Sequence, residues 1–325
     1  MAVNSTLDRV FVLELVRVTE AAAIAAAKLV GMGDEKAADA AAVESMRNEF
    51  NDLDIKGRIV IGEGERDEAP MLYIGEEVGT GNGPEIDIAL DPLEGTTIAA
   101  KAMQNSLAVV ALAEKGNLLN APDVYMDKIA VGPGLPEGVV DLDNSVADNV
   151  KAVAKAKNRP VSDMLVCVLD RPRHEQIIKE VRECGARVKL IGDGDVAGVI
   201  DTTNPKTSVD IYMGSGGAPE GVLAAAALRC IGGQIQGRLT FRNDTERGRA
   251  NKWGITDLDR KYSTEEMASG DVIFAATGVT DGTLLHGVHT SEDGKRYTTE
   301  TIVMRSASKT VRRIQTEHDR AIKLS

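Results

Sequence analysis

Apolar residues recur along the chain with two periods, and the places where the period changes divide it into elements. Residues 7–30 mix Val10, Leu13, Val16 and Val18 with an alanine-rich run at 21–27, and nothing breaks the pattern before Gly31. A helix is predicted there, and a second over 34–51 with Val43, Met46 and Phe50 on one face. The small-residue surface of this pair suits close packing, including between subunits. A strand is predicted at 57–62, a helix at 71–78 and a glycine-rich loop at 79–83. Ile86, Ile88 and Leu90 then alternate with smaller or polar residues, the period of a strand. Pro92 and Gly95 are expected to end that strand. A short helix at 98–103 and a strand at 107–113 follow. The Pro/Gly-rich run at 132–138 reads as a linker, which sets the lobe boundary near residue 150.

Beyond that boundary, helix and strand alternate: helix 145–157, strand 164–169, helix 175–184, strand 187–191, helix 196–202, strand 209–213, helix 221–230. This alternation predicts an α/β fold with a parallel second sheet. In such sheets ligands lie at the carboxyl ends of strands, where this sequence carries Arg171 and Arg173, Asp193 and Asp195, and Glu220. Strands are predicted again at 272–278, 284–289 and 299–305. The basic tail 309–323 reads as a solvated terminal helix. The predicted domains are an N-terminal lobe, 1–150, with most of the candidate acids, and a C-terminal α/β lobe, 151–325.

Composition narrows the functions. With 325 residues, 43% of them hydrophobic, the chain is globular and large enough for two lobes. No apolar run is long enough to span a membrane, and no signal-peptide pattern opens the chain. The three cysteines show neither zinc spacing nor a disulfide framework, so a cytoplasmic location is expected. Cys167 lies mid-strand and reads as an apolar residue rather than a nucleophile. The net charge of −12 disfavours nucleic acid or an anionic membrane as partner.

The candidate chemistry centres on residues 86–97, I-D-I-A-L-D-P-L-E-G-T-T. Asp91 and Glu94 stand at the strand's end, followed by the hydroxyls of Thr96 and Thr97 and by a helix start that offers free N–H groups to phosphate. Glu63 lies in an acidic loop, E-G-E-R-D-E, that repels itself without counter-ions. Glu220 follows Pro219 in the first turn of a helix. Asp39, among alanines, reads from its helix alone as a solvated acid. Oxygen ligands without nearby His or Cys suit Mg²⁺ or Mn²⁺ better than zinc. Two such ions can grip a phosphate and activate a water, with Thr96 the first candidate to orient that water. Arg171 and Arg173 suit a second phosphate, and Asp193 and Asp195 could accept sugar hydroxyls. His286 and His289 form an H-x-x-H without the acid spacing of a zinc protease, and are assigned no metal role.

At D-P-L-E-G-T the sequence resembles the metal-dependent, lithium-sensitive sugar and inositol phosphatases. With V-I-G-E-G-E-R-D-E-A-P-M-L-Y-I-G from Val60, L-N-A-P-D-V-Y-M from Leu119, R-P-R-H from Arg171, D-G-D from Asp193 and G-G-A-P-E-G from Gly216, it resembles the class II fructose-1,6-bisphosphatases of the GlpX type over nearly its whole length. The resemblance implies a layered α-β-α-β-α sugar phosphatase fold of two lobes, with the active site at the strand ends between them. It implies hydrolysis of the 1-phosphate of fructose 1,6-bisphosphate in gluconeogenesis, with sedoheptulose 1,7-bisphosphate as alternative or second substrate and an inositol or nucleotide phosphatase as the more distant one. Asp39, Glu63, Asp91, Glu94 and Glu220 fall on the family's metal positions, so Asp39 is reassigned. Glu94, Gly95, Thr96, Tyr125, Arg171, Pro172, Arg173, Asp193, Gly194, Asp195 and Gly217 fall on substrate positions. Thr96 matches the threonine that assists the nucleophilic water, and Asp67 an acid needed for activity. Some relatives carry Lys in place of Arg171. A homo-oligomer, dimer or tetramer, is expected. No role is assigned to 242–257.

Overall fold

The structure is a computed structural model that describes residues 7–64 and 71–323. It is a mixed α/β fold with two sheets, each belonging to its own compact unit. The first unit takes residues 1–117 and 270–325, the second 118–269. The chain therefore does not divide at residue 150. It leaves the first unit, builds the second, and returns.

In the first unit, α1 (Phe11–Ala27) and α2 (Glu35–Asn51) lead into β1 (Lys56–Ile61), β2 (Glu77–Val78), β3 (Glu85–Glu94), α3 (Thr96–Ala100) and β4 (Leu107–Glu114). The second unit holds β5 (Tyr125–Val131), α4 (Val146–Ala156), β6 (Leu165–Leu169), α5 (Glu175–Glu183), β7 (Arg187–Ile191), α6 (Asp195–Ile200), β8 (Ile211–Gly217), α7 (Ala218–Ile231), β9 (Gln234–Thr240), α8 (Asp244–Lys252), β10 (Lys261–Ser263) and α9 (Thr264–Met267). The return adds β11 (Val272–Gly278), β12 (His289–Thr290), β13 (Arg296–Arg305), β14 (Thr310–Asp319) and α10 (Arg320–Lys323) to the first unit.

The first sheet runs β12-β13-β11-β4-β3-β1-β2, with β14 paired to β13. Its central strands β4 and β11 are buried almost throughout, as strands covered on both faces must be. Helix α1 packs on α2, β4, β11 and β13, so the alanines at 21–23 and 26 are buried inside the unit. Their small size permits that close packing, and no subunit contact is needed to explain it.

Three sequence expectations change here. Residues 71–78 are not a helix: Leu72 takes a left-handed backbone (φ 54°), and Glu77 and Val78 pair with β1. The basic tail is mostly strand: β14 pairs with β13 along ten residues, and an edge strand tolerates charge because water solvates it. Only His289–Thr290 is strand in the 284–290 region.

The second sheet runs β10-β9-β5-β8-β6-β7. The predicted parallel pattern holds for β7, β6 and β8 only; β5, β9 and β10 join antiparallel. Its core centres on Ile129, Val131, Val150, Val153, Val166, Val168, Ile211 and Met213.

Helix α9 opens on a capping box, with the Ser263 N–H donating to Glu266 at 2.8 Å while Ser263 Oγ accepts from the Glu266 N–H at 3.3 Å. The Arg260 guanidinium first, then the Ser263 backbone and hydroxyl, hold the Glu266 carboxyl down at about 2. Its stabilising contribution is therefore present above the ordinary carboxylate range and is lost as pH falls through about 2. Because Glu266 is partly exposed, Glu266→Gln should cost about 1 kcal/mol at neutral pH, the value of a cap rather than of the whole shift. In urea unfolding, the gap between the two proteins should close as pH falls toward 2.

Candidate metal centre and substrate clamp

In the first unit, β1 and β3 are adjacent and parallel, with Ile61 paired to Ala89. Glu63 lies two residues past Ile61 and Asp91 two residues past Ala89, so the two acids occupy matching positions along adjacent parallel strands. Pro92 does not end β3 as expected. The ladder to β4 passes from Asp91–Val109 to Glu94–Leu107, which leaves one extra residue on β3. This bulge absorbs the proline, whose missing N–H would interrupt a regular ladder. It carries the strand on to Glu94, which is 4% exposed. Asp91 Oδ1 accepts from the Leu93 N–H at 3.1 Å, tightening the bulge. Ser106 Oγ donates to the Glu94 carbonyl at 2.8 Å.

Gly95, left-handed at φ 79°, turns the chain into α3, which places Thr96 in the first helical position. With five residues α3 has a weak dipole, so side chains and cations, rather than the helix start, must carry most of any phosphate binding. Helix α2 packs against both β3 and α3. It carries Asp39, whose carboxyl burial raises above its ordinary value. The first unit thus sets Glu63, Asp91 and Glu94 toward the carboxyl ends of the adjacent strands β1 and β3, and packs the helix of Asp39 against β3. Asp67 lies outside the described residues.

The second unit holds the rest. Glu220 is the third residue of α7, after Gly217 and Pro219. A Cβ on Gly217 would lie 1.9 Å from Glu220 Oε2, so only glycine lets this carboxylate fold back over the helix start. Glu220 Oε2 is buried without a hydrogen-bond partner among the described residues. Burial, then repulsion from Asp195, push its carboxyl up to about 7, against the pull of Lys128. A buried carboxylate oxygen with no donor is what a divalent cation would satisfy, and the donor set is all carboxylate. The residues present therefore fit a hard divalent ion.

Lys128 was not singled out from the sequence. It is 2% exposed on β5, ion-pairs with Asp195, and donates to the Gly217 carbonyl at 2.8 Å. Tyr212 reaches the same Asp195 at 3.4 Å. Asp195, the first residue of α6 after the left-handed Gly194, is thus buried and already engaged. Asp193 is half-buried, 3.9 Å from Arg171.

The R-P-R-H segment forms a 3₁₀ turn after β6, with Pro172 in its first position. Buried His174 pins it to β8: its Nδ1 meets the Leu169 carbonyl at 2.8 Å, and its Nε2 accepts from the Ser215 N–H at 2.8 Å. That pairing fixes the Nδ1–H tautomer, and burial lowers the imidazole's pKa, keeping it neutral. Arg173 Nε donates to the Ser215 carbonyl at 2.9 Å, and its guanidinium lies 5.0 Å from the Tyr125 ring. Arg242, given no role from sequence, lies 5.1 Å from the same ring. Only strand pairing could have revealed it, since β5 and β9 set Tyr125 opposite Thr240. Cys167 is buried and its thiol is pushed up to about 12, which fits a core residue rather than a nucleophile.

Comparison with known proteins gives a consistent family. The profile described as bacterial fructose-1,6-bisphosphatase, glpX-encoded, matches residues 9–318. A protein of Trichodesmium erythraeum (strain IMS101), named D-fructose 1,6-bisphosphatase class 2/sedoheptulose 1,7-bisphosphatase, is 46% identical over 337 aligned positions, covering 96% of this chain and 97% of that protein. One of the same name from Synechococcus sp. (strain JA-3-3Ab) is 47% identical over 337 positions, covering 96% of each.

Proposed function

Since the chain belongs to the glpX-encoded bacterial fructose-1,6-bisphosphatase family, we propose that it hydrolyses the 1-phosphate of fructose 1,6-bisphosphate, giving fructose 6-phosphate and inorganic phosphate. It is a metal-dependent phosphoric monoester hydrolase. The ion we assign is Mg²⁺ or Mn²⁺, on Asp39, Glu63, Asp91 and Glu94 of the first unit and Glu220 of the second. What supports this reading is the Oε2 of Glu220, buried and without a hydrogen-bond partner among the described residues, together with candidate ligands that are all carboxylates.

When bound, such ions neutralise phosphate charge and supply a water acidic enough to attack. The protein's own groups position the reactants. Thr96, directly after Glu94-Gly95, accepts a hydrogen bond from the attacking water and aims its lone pair at phosphorus, in line with the leaving sugar oxygen. Arg171 and Arg173 hold the second phosphate. With Nε committed to Ser215 and the guanidinium stacked on Tyr125, Arg173 presents its terminal N–H groups as a preset fork. Arg242, at the same ring, adds positive charge there. Asp193 accepts a sugar hydroxyl. Asp195 keeps Lys128 neutralised, and through it the Gly217 carbonyl at the start of α7 stays fixed.

The relatives' printed names also include sedoheptulose 1,7-bisphosphatase, so we propose that bisphosphate as a second substrate. Both share a phosphate remote from the cleaved one. Arg173→Ala should lower kcat/KM for either bisphosphate by roughly 10–100-fold, the value of a charge-assisted bond. It should barely change hydrolysis of a sugar monophosphate. Steady-state phosphate release over a small panel of bisphosphates and monophosphates checks this. An equal loss on every substrate would place Arg173 at the cleaved phosphate instead. No described helix is long and apolar enough to cross a membrane. We place the enzyme in the cytoplasm as a homo-oligomer, on the family resemblance and on three cysteines whose spacing suits neither zinc nor a disulfide framework.

A further inference from the structure

The loop between β11 and β12 brings together three ligand-type side chains that the proposed reaction does not use. Asp281 Oδ1 lies 2.9 Å from His289 Nε2 and 3.6 Å from His286 Nδ1. The three ligand atoms all lie within 4.8 Å of one another. Two ligands of a tetrahedral zinc ion, each about 2.1 Å from it, stand roughly 3.4 Å apart. The two observed separations bracket that value.

The loop is built to hold this shape. A Cβ on Gly287 would lie 2.6 Å from the Thr280 carbonyl carbon, and one on Gly278 would lie 2.1 Å from the His286 carbonyl oxygen. Glycine at both positions lets the two arms of the loop touch. The Gly287 N–H then donates to Asp281 Oδ1 at 2.9 Å, and the His286 N–H donates to Glu300 on β13 at 2.6 Å. Both histidines line a cavity of about 550 Å³, with Glu300 and Arg313 on its walls. All three side chains are exposed, so an ion can enter without opening the fold.

We infer that Asp281, His286 and His289 form a binding site for a borderline divalent transition metal of the Zn²⁺ class. Two imidazoles and one carboxylate select such an ion over Mg²⁺ or Mn²⁺, which favour all-oxygen donors. The remaining coordination positions face the cavity and are left to water or a small anion. A bound ion cross-links the two arms of the loop and, through Glu300, ties them to β13. It stabilises the folded chain by linkage. The H-x-x-H spacing lacked an acid partner only because that acid lies upstream, across the turn of the loop.

The test is calorimetric titration of the full-length, Mg²⁺-saturated protein with ZnCl₂, in parallel with His286→Ala/His289→Ala and with Asp281→Asn. The wild type is expected to bind one zinc equivalent that both variants lose, or bind at least 10–100-fold more weakly, the loss typical even of outer-shell partners. Co²⁺ should give the visible absorption of a histidine-ligated ion in the wild type and not in the double variant. Mg²⁺-dependent phosphate release should be the same in all three proteins. Unaltered zinc stoichiometry and affinity in both variants, or no zinc-dependent heat with the wild type, would overturn the assignment.

Discussion

Glu220→Gln is expected to abolish turnover at ordinary Mg²⁺ or Mn²⁺, with partial recovery at high metal. Gln preserves the shape but replaces an anionic ligand with a neutral one, so the loss falls on metal affinity. At least a 10–100-fold rise in the metal needed for half-maximal rate follows, since substitutions beyond the ligands themselves already cost that much. The metal-free fold should not suffer. Glu220 Oε2 is buried without a donor among the described residues, and burial and Asp195 already push its carboxyl up to about 7, so a neutral amide relieves an unfavourable site. Metal-free Glu220→Gln should therefore melt at or above the wild-type temperature while its metal titration shifts. Full activity at ordinary metal would remove Glu220 from the site.

Thr96→Val is expected to lower kcat by roughly 10²–10³, the usual loss on removing one preorganised hydrogen-bonding group, with KM nearly unchanged. Valine has the volume of threonine. Helix α3 starts on Gly95, not on a hydroxyl cap, so the fold does not depend on the Thr96 hydroxyl. A rise in KM at constant kcat would instead make Thr96 a ground-state phosphate contact.

Much of the candidate site is legible in the sequence because acids at strand ends and the Pro-Glu start of α7 are local signals. Asp91, Glu94 and Glu220 could be picked out before any pairing was known. Asp39 was not legible from its helix, because an acid among alanines looks the same in solvent as under a sheet. What makes it unusual is the packing of α2 on β3 and α3. Lys128, His174 and Arg242 were missed for the same reason. Their roles come from register: β5 beside β8 places Lys128 near Gly217, and β6 beside β8 places His174 against Ser215.

The fold errors share that cause. Residues 71–78 have a helix-like apolar pattern, but pairing with β1 wins over local propensity. The sequence predicts a strand end at Pro92 because a bulge shows only against its partner strand. The return of β11 to β14 to the first sheet defeated the linear boundary at residue 150, since β11 is centred on β4 rather than on its neighbours in sequence.

The most direct test is phosphate release from fructose 1,6-bisphosphate by the purified chain, with Mg²⁺ and with Mn²⁺, before and after chelation. The expected result is one phosphate released per sugar, with fructose 6-phosphate as product, stopped by chelator and restored by either ion. No phosphate release with either metal, or release that chelation leaves intact, would contradict the account.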